Sequence, residues 1–514
     1  VFMFARVLAG AASVLIVASP ALAQATLSPS AQNVRAHMRF LADDALEGRE
    51  AGTRGYDIAA NYVVAQLEQL GVKPGAANGA YLQTVPMVAY RSADQGKVVL
   101  KTAKGETPLA FGTEYLPGKD PLSTSRNVTA PLVFVGYGVV APKYGQNDYK
   151  GLDVKGKIVV ALSGAPKGFQ TEERAHYGNN RTKRAAAMAA GAVGFVTLQT
   201  PEDETRRPFA NGARNYQSWS MSWKDAKGET FFPAPTTPQL ASLSLTAGEK
   251  LFAGAKTPLA QVHKVLAAGG APKGFALPGQ LSVATRTETK ESTSANVVGL
   301  IEGSDPRLKD EVVVLTAHLD HEGISAPVNG DSINNGALDN ASGVSTQLEV
   351  ARAFMTAGKP PRRSVMFVFV TAEEKGLLGA EYFARNPTTS KRMVANVNLD
   401  MPILTYDFVD VIAFGSDRSS LGPSVRAAAA RMNVALSKDP MPEEGLFTRS
   451  DHYRFVEQGV PSMFLMTGFG NTGEEKFRGF LKDHYHKPSD DLRLPIDYEA
   501  GAKFAKLNYE ISRE

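Results

Sequence analysis

The sequence contains no cysteine, which excludes a disulfide framework, a thiolate metal site and a cysteine nucleophile together. Any bound metal must therefore be held by His, Asp or Glu. A surplus of one charge is also lacking. The 56 Lys and Arg against 52 Asp and Glu leave a formal charge of +4, too small and too dispersed to mark a nucleic-acid surface. No internal repeat, low-complexity block or Gly-x-Ser-x-Gly elbow occurs along the chain, so repeat architectures and a serine hydrolase of that type drop out. Long apolar runs are missing as well. The one candidate, Val7–Val17, is too short to span a bilayer and ends near Pro20,.

What is present begins with that N-terminal run. Arg6 precedes it and Ala21-Leu22-Ala23 supplies small residues, a pattern that predicts a signal peptide over residues 1–23,. The expectation is an exported mature chain, periplasmic or secreted, with no membrane anchor. Hydrophobic residues at 43% and charged residues at 21% describe a folded protein, and 514 residues exceed what one core usually accommodates,. Ala59, Tyr62, Val63, Leu67 and Leu70 fall at helical spacing before Gly71 and Pro74,. Short β runs and a helix follow between Ala130 and Thr200, and the stretch AGGAPKGFALPG at residues 268–279 marks a return,. The expected organisation is a first domain made of residues 28–90 and 290–514. Between them lies an inserted α/β region over 91–289, with its core about 128–285.

The chemistry concentrates in the C-terminal part. EVVVLTAHLDH, SVMFVFVTAEE and VANVNLD are continuous apolar runs, each ending in a metal-capable residue. Runs without alternation predict strands buried on both faces, as in a mixed, mainly parallel sheet flanked by helices. Ligands of such sheets bind at the carboxyl ends of the strands, where His318, Glu373, Glu374 and Asp400 would gather. The loop NGALDNASGV brings Asp339, and DHYHKPSDD brings His484 and His486. Alone, each of these residues has an ordinary explanation as a cap or satisfied polar group. Two ligand imidazoles from this set, with three carboxylates and one spare Glu, make a donor set suited to zinc or a similar divalent ion, enough for two metals and a base.

The stretches AHLDH, GALDNASG, TAEEKGLLGAEYFA, NLDM and YHKPSDD resemble, in order and surroundings, the di-zinc aminopeptidases of metallopeptidase clan MH. Glutamate carboxypeptidase and the transferrin receptor belong to the same group. The resemblance extends to GREAGTRGYDIAANYVVAQLEQLGVKPG, and the intervening region resembles a protease-associated domain. It implies two zinc ions, or another divalent metal: His318 and Asp400 on one, Glu374 and His486 on the other, Asp339 between them. Glu373 would be the general base that takes a proton from a bridging hydroxide, and Asp320 a carboxylate orienting the His318 ring. His321, His452 and His484 match no ligand position. Asp451, in RSDHYRF, is a candidate for shaping the pocket of a substrate amine. A cis peptide is implied between Asp339 and Asn340. The resemblance points to peptide substrates and an aminopeptidase. The alternatives are a glutaminyl cyclase with one zinc, a carboxypeptidase of the glutamate type, and an inactive receptor-like binder.

Overall fold

The computed structural model describes residues 29–514, so the signal peptide expected over residues 1–23 lies outside the described residues. Among the described residues, no helix is long and apolar enough to cross a membrane. The centre of the main sheet is four adjacent strands, Ser364–Val370, Glu311–His318, Arg392–Leu399 and Ser462–Thr467, all mutually parallel. Antiparallel neighbours close both flanks, residues 297–301 on one side and Asp410–Phe414 on the other. The fold is thus mixed and mainly parallel.

Its layering follows from the period-2 alternation of side chains along a strand. Within Ser364–Val370, Val365, Phe367 and Phe369 enter one core and Met366, Val368 and Val370 the other. Helices cover both faces. The larger core takes the helices Ala31–Leu41, Arg54–Leu70, Ser342–Thr356 and Tyr498–Arg513, while Leu378–Arg385 and His452–Val456 cover the opposite face. Ala59, Val63 and Leu67 are buried on the second of these helices. Gly71 ends that helix in the left-handed conformation at φ 76°, which costs glycine little.

The helix Ser342–Thr356 is buried all round its first ten residues despite three hydroxyl side chains. Ser342, Ser345 and Thr346 each donate to the carbonyl four residues earlier, at 2.6–2.7 Å, so burial leaves no hydroxyl donor unpaired. A helix that can be wholly enclosed lets the loop before it, carrying Asp339, sit inside the domain.

A second sheet is built from residues 91–289. Its strands Ser125–Phe134, Ile158–Leu162, Gly194–Leu198 and Gln239–Leu243 are parallel neighbours. One strand, Phe275–Ile301, belongs to both sheets: residues 275–286 pair with Ser125–Phe134, and residues 287–297 pair with Leu82–Ser92 of the main sheet. The Pro- and Gly-rich stretch before it therefore leads into a shared strand, with a bulge between Ala276 and Gln280. Ser220–Trp223, inside the region expected as the insertion, pairs instead with Met87–Tyr90 on the main sheet.

The two parts are fastened at Glu381, which is only 2% exposed. Its carboxylate accepts from Arg181 of the second part at 2.9 Å, from Trp223 Nε1 at 3.2 Å and from Arg385 Nε at 3.1 Å. Removing one member of a buried, hydrogen-bonded charge cluster leaves the others unpaired and costs about 3 kcal/mol. Glu381→Ala is accordingly expected to lower the thermal unfolding midpoint by several degrees in calorimetry, with Glu381→Gln intermediate. An unchanged midpoint in the alanine variant would remove Glu381 as the fastening point.

Candidate metal centre

The parallel strands deliver their side chains to one edge. His318 is the last residue of its strand, Asp400 follows Arg392–Leu399 directly, and Glu373 and Glu374 lie just beyond Ser364–Val370. Tight left-handed turns aim them: Ala372 before the Glu pair has φ 54°, Met401 after Asp400 has φ 45°, and His486 itself has φ 55°. Non-glycine residues in that region are held there by their surroundings, and such residues cluster at functional sites. Gly336 opens the Asp339 loop at φ 60°, and a Cβ there would lie 2.2 Å from the Asp339 carbonyl and 2.6 Å from the His321 ring. The Asp339–Asn340 peptide bond is cis, as the resemblance implies.

Two side-chain clamps hold this edge. Asp490 accepts the main-chain N–H groups of Leu338 at 2.9 Å and Asp339 at 3.0 Å. Arg49, 1% exposed, donates to the carbonyls of Leu41 and Asn335 at 2.5 Å and of Leu319 at 3.0 Å. It thereby ties the end of the helix Ala31–Leu41 to the segments that follow His318 and precede Asp339.

Asp339 stands between two groups of donors. Its Oδ1 lies 3.2 Å from His318 Nε2, which is 3.0 Å from Asp400 Oδ1. Its Oδ2 lies 3.4 Å from His486 Nε2, which is 3.2 Å from Glu374 Oε2. Glu373 makes no hydrogen bond to either pair but has an oxygen close to both His318 and Glu374, and it borders a cavity of about 40 Å³ above them. His318, Asp339 and Asp400 form one group with ligand atoms close enough to share an ion, and Glu374 with Glu322 and His486 forms another.

The electrostatics show what this cluster needs. Burial by itself would lower the pKa of His486, but Glu374 and Asp339 outweigh it and raise the imidazole to about 11. His318 is likewise raised well above its ordinary value by Asp400 and Glu373 against the effect of burial. Burial, reinforced by Glu374 and Asp400 and opposed by His318, pushes Glu373 well above the usual carboxylate range. Four carboxylates enclosed together demand positive charge, and protonated imidazoles meet part of that demand. Divalent cations would meet it more fully, taking neutral imidazole and ionised carboxylate as ligands. The donor set, nitrogen and oxygen without sulfur, fits zinc.

Comparison with known proteins decides the family. The profile of peptidase family M28 matches residues 296–512, and that of the PA domain matches residues 128–248. Residues 296–512 form a peptidase family M28 domain. Aminopeptidase YwaD of Bacillus subtilis is 29% identical over 205 residues, covering 39% of this chain and 40% of that protein. An aminopeptidase of Pseudomonas aeruginosa is 26% identical over 431 residues, covering 82% of this chain and 67% of that protein. The chain thus spans about two fifths to two thirds of the length of these curated relatives. Among solved structures, the aminopeptidase from Aneurinibacillus sp. strain AM-1 aligns with a TM-score of 0.54 at 20% identity. That alignment covers 95% of this chain and 94% of that one, a likeness of fold.

Within the M28 domain some side chains differ from expectation. The contact to His318 Nδ1 comes from the main-chain oxygen of Asp320 at 3.1 Å, not from its carboxylate. That carboxylate accepts the N–H groups of Glu373 at 3.0 Å and Glu374 at 3.3 Å instead, because the turn after Ser364–Val370 presents two unpaired donors to it. Asp320 therefore positions the Glu pair by side chain and the imidazole by main chain. Asp451 is fully buried, neither of its oxygens has a partner among the described residues, and it does not line the cavity. In this structure its carboxylate is behind the site, not facing a substrate amine. His452 is a core residue held near pKa 3 by burial, and His484 bonds Ser489 Oγ at 3.0 Å. His321 is more intimate, with Nδ1 2.7 Å from Glu374 Oε1. Ser450 Oγ donates to Asp400 at 2.5 Å, and Glu322 lies 3.5 Å from His486 Nδ1. The roles of Ser450 and Asp490 are not read from the sequence, although both stand inside quoted motifs.

Asp490→Ala would leave two buried N–H groups unpaired, each costing about 1–3 kcal/mol, and would free the Asp339 loop. The expected result is a lower unfolding midpoint together with at least tenfold weaker zinc binding by competition with a chromogenic chelator. Unaltered zinc affinity would show that Asp490 does not hold Asp339 in place.

Proposed function

We propose that the protein is an exported, two-zinc aminopeptidase that removes N-terminal residues from peptides, with Glu373 as general base. The observation that carries this reading is Asp339, which turns one oxygen toward His318 and Asp400 and the other toward His486 and Glu374. A carboxylate so shared, with one Glu left over, supports a pair of metals and a free base. His318, Asp339 and Asp400 would hold one ion, and Asp339, Glu374 and His486 the other. The chemistry such ions supply when bound is acidification of water and polarisation of a carbonyl. Glu373 would accept the proton of the attacking water and return it to the leaving amine. Its N–H is held by Asp320, which fixes where its carboxylate starts from.

The cavity beside Glu373 is lined by Met401, Phe464, Met466, Phe477 and Leu481, which supports an apolar side chain on the first residue. At about 40 Å³ it holds no more than a few waters, so entry of a side chain requires its walls to give. The family's hydrolase activity and the aminopeptidases among the relatives favour this reading over a cyclase or a binding protein.

The test is a panel of aminoacyl arylamides with the zinc-loaded chain, in which leucyl and phenylalanyl substrates are expected to outpace lysyl and glutamyl ones. Glu373→Gln should reduce turnover by about two orders of magnitude or more, with metal content near two per chain by atomic spectroscopy. A metal-loaded Glu373→Gln chain with normal turnover would sink the assignment. Release of pyroglutamyl peptides, or cleavage only at C-terminal glutamate, would favour one of the alternatives.

A further inference from the structure

A cavity of about 550 Å³ lies between the PA domain and the M28 domain, a size typical of small-ligand sites. Tyr137, Lys167 and Arg174 line it from the PA side, and Glu444, Thr448 and Arg449 from the other. Arg449 also lines the small cavity over Glu373, so the two spaces meet at one side chain. The catalytic space, at about 40 Å³, cannot house the part of a peptide that lies beyond the bond to be cut. The interdomain space is the next volume along, and an extended chain advances only about 3.5 Å per residue.

Its charge is specific. Lys167 pairs with Glu202 at 2.9 Å, Arg206 with Asp203 at 3.2 Å, and Arg449 with Glu444 at 3.3 Å. These pairs engage all the lining acids except Glu443, which is exposed to solvent. Arg174, on the helix Thr171–Gly178 and partly buried, has neither an ion pair nor a side-chain hydrogen bond among the described residues. A guanidinium left unpaired at a ligand-sized cavity offers a planar set of donors that matches a carboxylate in two-pronged fashion.

We propose that this interdomain cavity is a subsite for the leaving part of the peptide substrate, in which Arg174 binds a carboxylate. The inference rests on the aminopeptidase reading. The carboxylate comes either from the free C-terminus of a short peptide or from an acidic side chain one or two residues past the cut. In the first case the enzyme acts on small peptides such as those an endopeptidase releases.

The experiment compares the zinc-loaded full chain on Leu-Gly-Gly, on its C-terminal amide and on Leu-Gly-Glu amide. The expected result is a KM about tenfold lower for a carboxylate-bearing peptide than for Leu-Gly-Gly amide. Arg174→Gln should bring that ratio close to one with kcat little changed, and Arg174→Lys should restore part of it as a point charge. Preference for Leu-Gly-Gly identifies the terminal carboxylate, and preference for Leu-Gly-Glu amide the side chain. An equal KM for all three in the wild type, or an equal loss on acid and amide in Arg174→Gln, overturns the subsite. Leucyl arylamide serves as the separate control. If the wild type does not cleave it, the aminopeptidase reading falls, and calorimetric binding of the same acid and amide peptides to wild type and Arg174→Gln then decides the subsite alone.

Discussion

Asp339 is 2% exposed and faces an imidazole on each side, in a pocket that also holds Glu374, Asp400 and Glu373. Keeping that much negative charge out of water is the constraint on which the domain is built, because an isolated buried carboxylate is strongly disfavoured. The sheet answers it by position. Three parallel strands end at the same edge, so residues far apart in sequence contribute one imidazole and three carboxylates where helices shield them on both faces. The helix after Asp339 can be enclosed because its hydroxyls bond its own carbonyls. The loop in front of it need not reach the surface.

The main chain at this edge is itself restrained by charge. Arg49 gathers carbonyls from the Leu41, Leu319 and Asn335 segments, Asp490 takes amides from the Asp339 loop, and Asp320 takes those of the Glu pair. Each is a buried titratable side chain paired with peptide dipoles, an arrangement intolerant of losing its partner. Left-handed turns at Ala372, Met401 and His486 persist under this restraint. The ligand side chains are thus aimed by a rigid frame, as a metal centre requires.

Much of this is legible in the sequence, and the limits have physical causes. Unbroken runs such as VMFVFV report strands buried on both faces, and a polar residue at the end of each run reports the ligand edge. Gly71 reports a helix end. The clamps are harder to see: Arg49 and Asp490 act on segments about 270 and 150 residues away,, and no local pattern encodes such distances. His321 and Glu322 lie beside the ligand His318 in sequence, yet only the fold shows that they turn toward Glu374 and His486. The strand Phe275–Ile301 carries Pro278 and Gly279 near its start, at its bulge, and these read as linker,. It becomes a strand because two sheets pair with it in succession.

That shared strand and Glu381 make one side of the junction between the domains stiff, and the side nearest the metal centre is different. There Glu444 draws Arg206 and Arg207 from the PA region and Arg449 from the M28 domain, at 3.0–3.5 Å. These side chains keep 22–69% of their surface in solvent, so each pair contributes about 0–1 kcal/mol, against about 3 kcal/mol for the buried cluster at Glu381. The ranking matters more than either figure. In segment 442–449, the wall between the catalytic space and the interdomain cavity, Glu444 is held by these weak pairs and the Glu443 carbonyl by Arg206 at 3.0 Å, while Phe447 is anchored in the main core. A wall held in this way can yield to a substrate side chain without disturbing the metal ligands, because His318, Asp339, Glu374, Asp400 and His486 all lie outside the segment that yields.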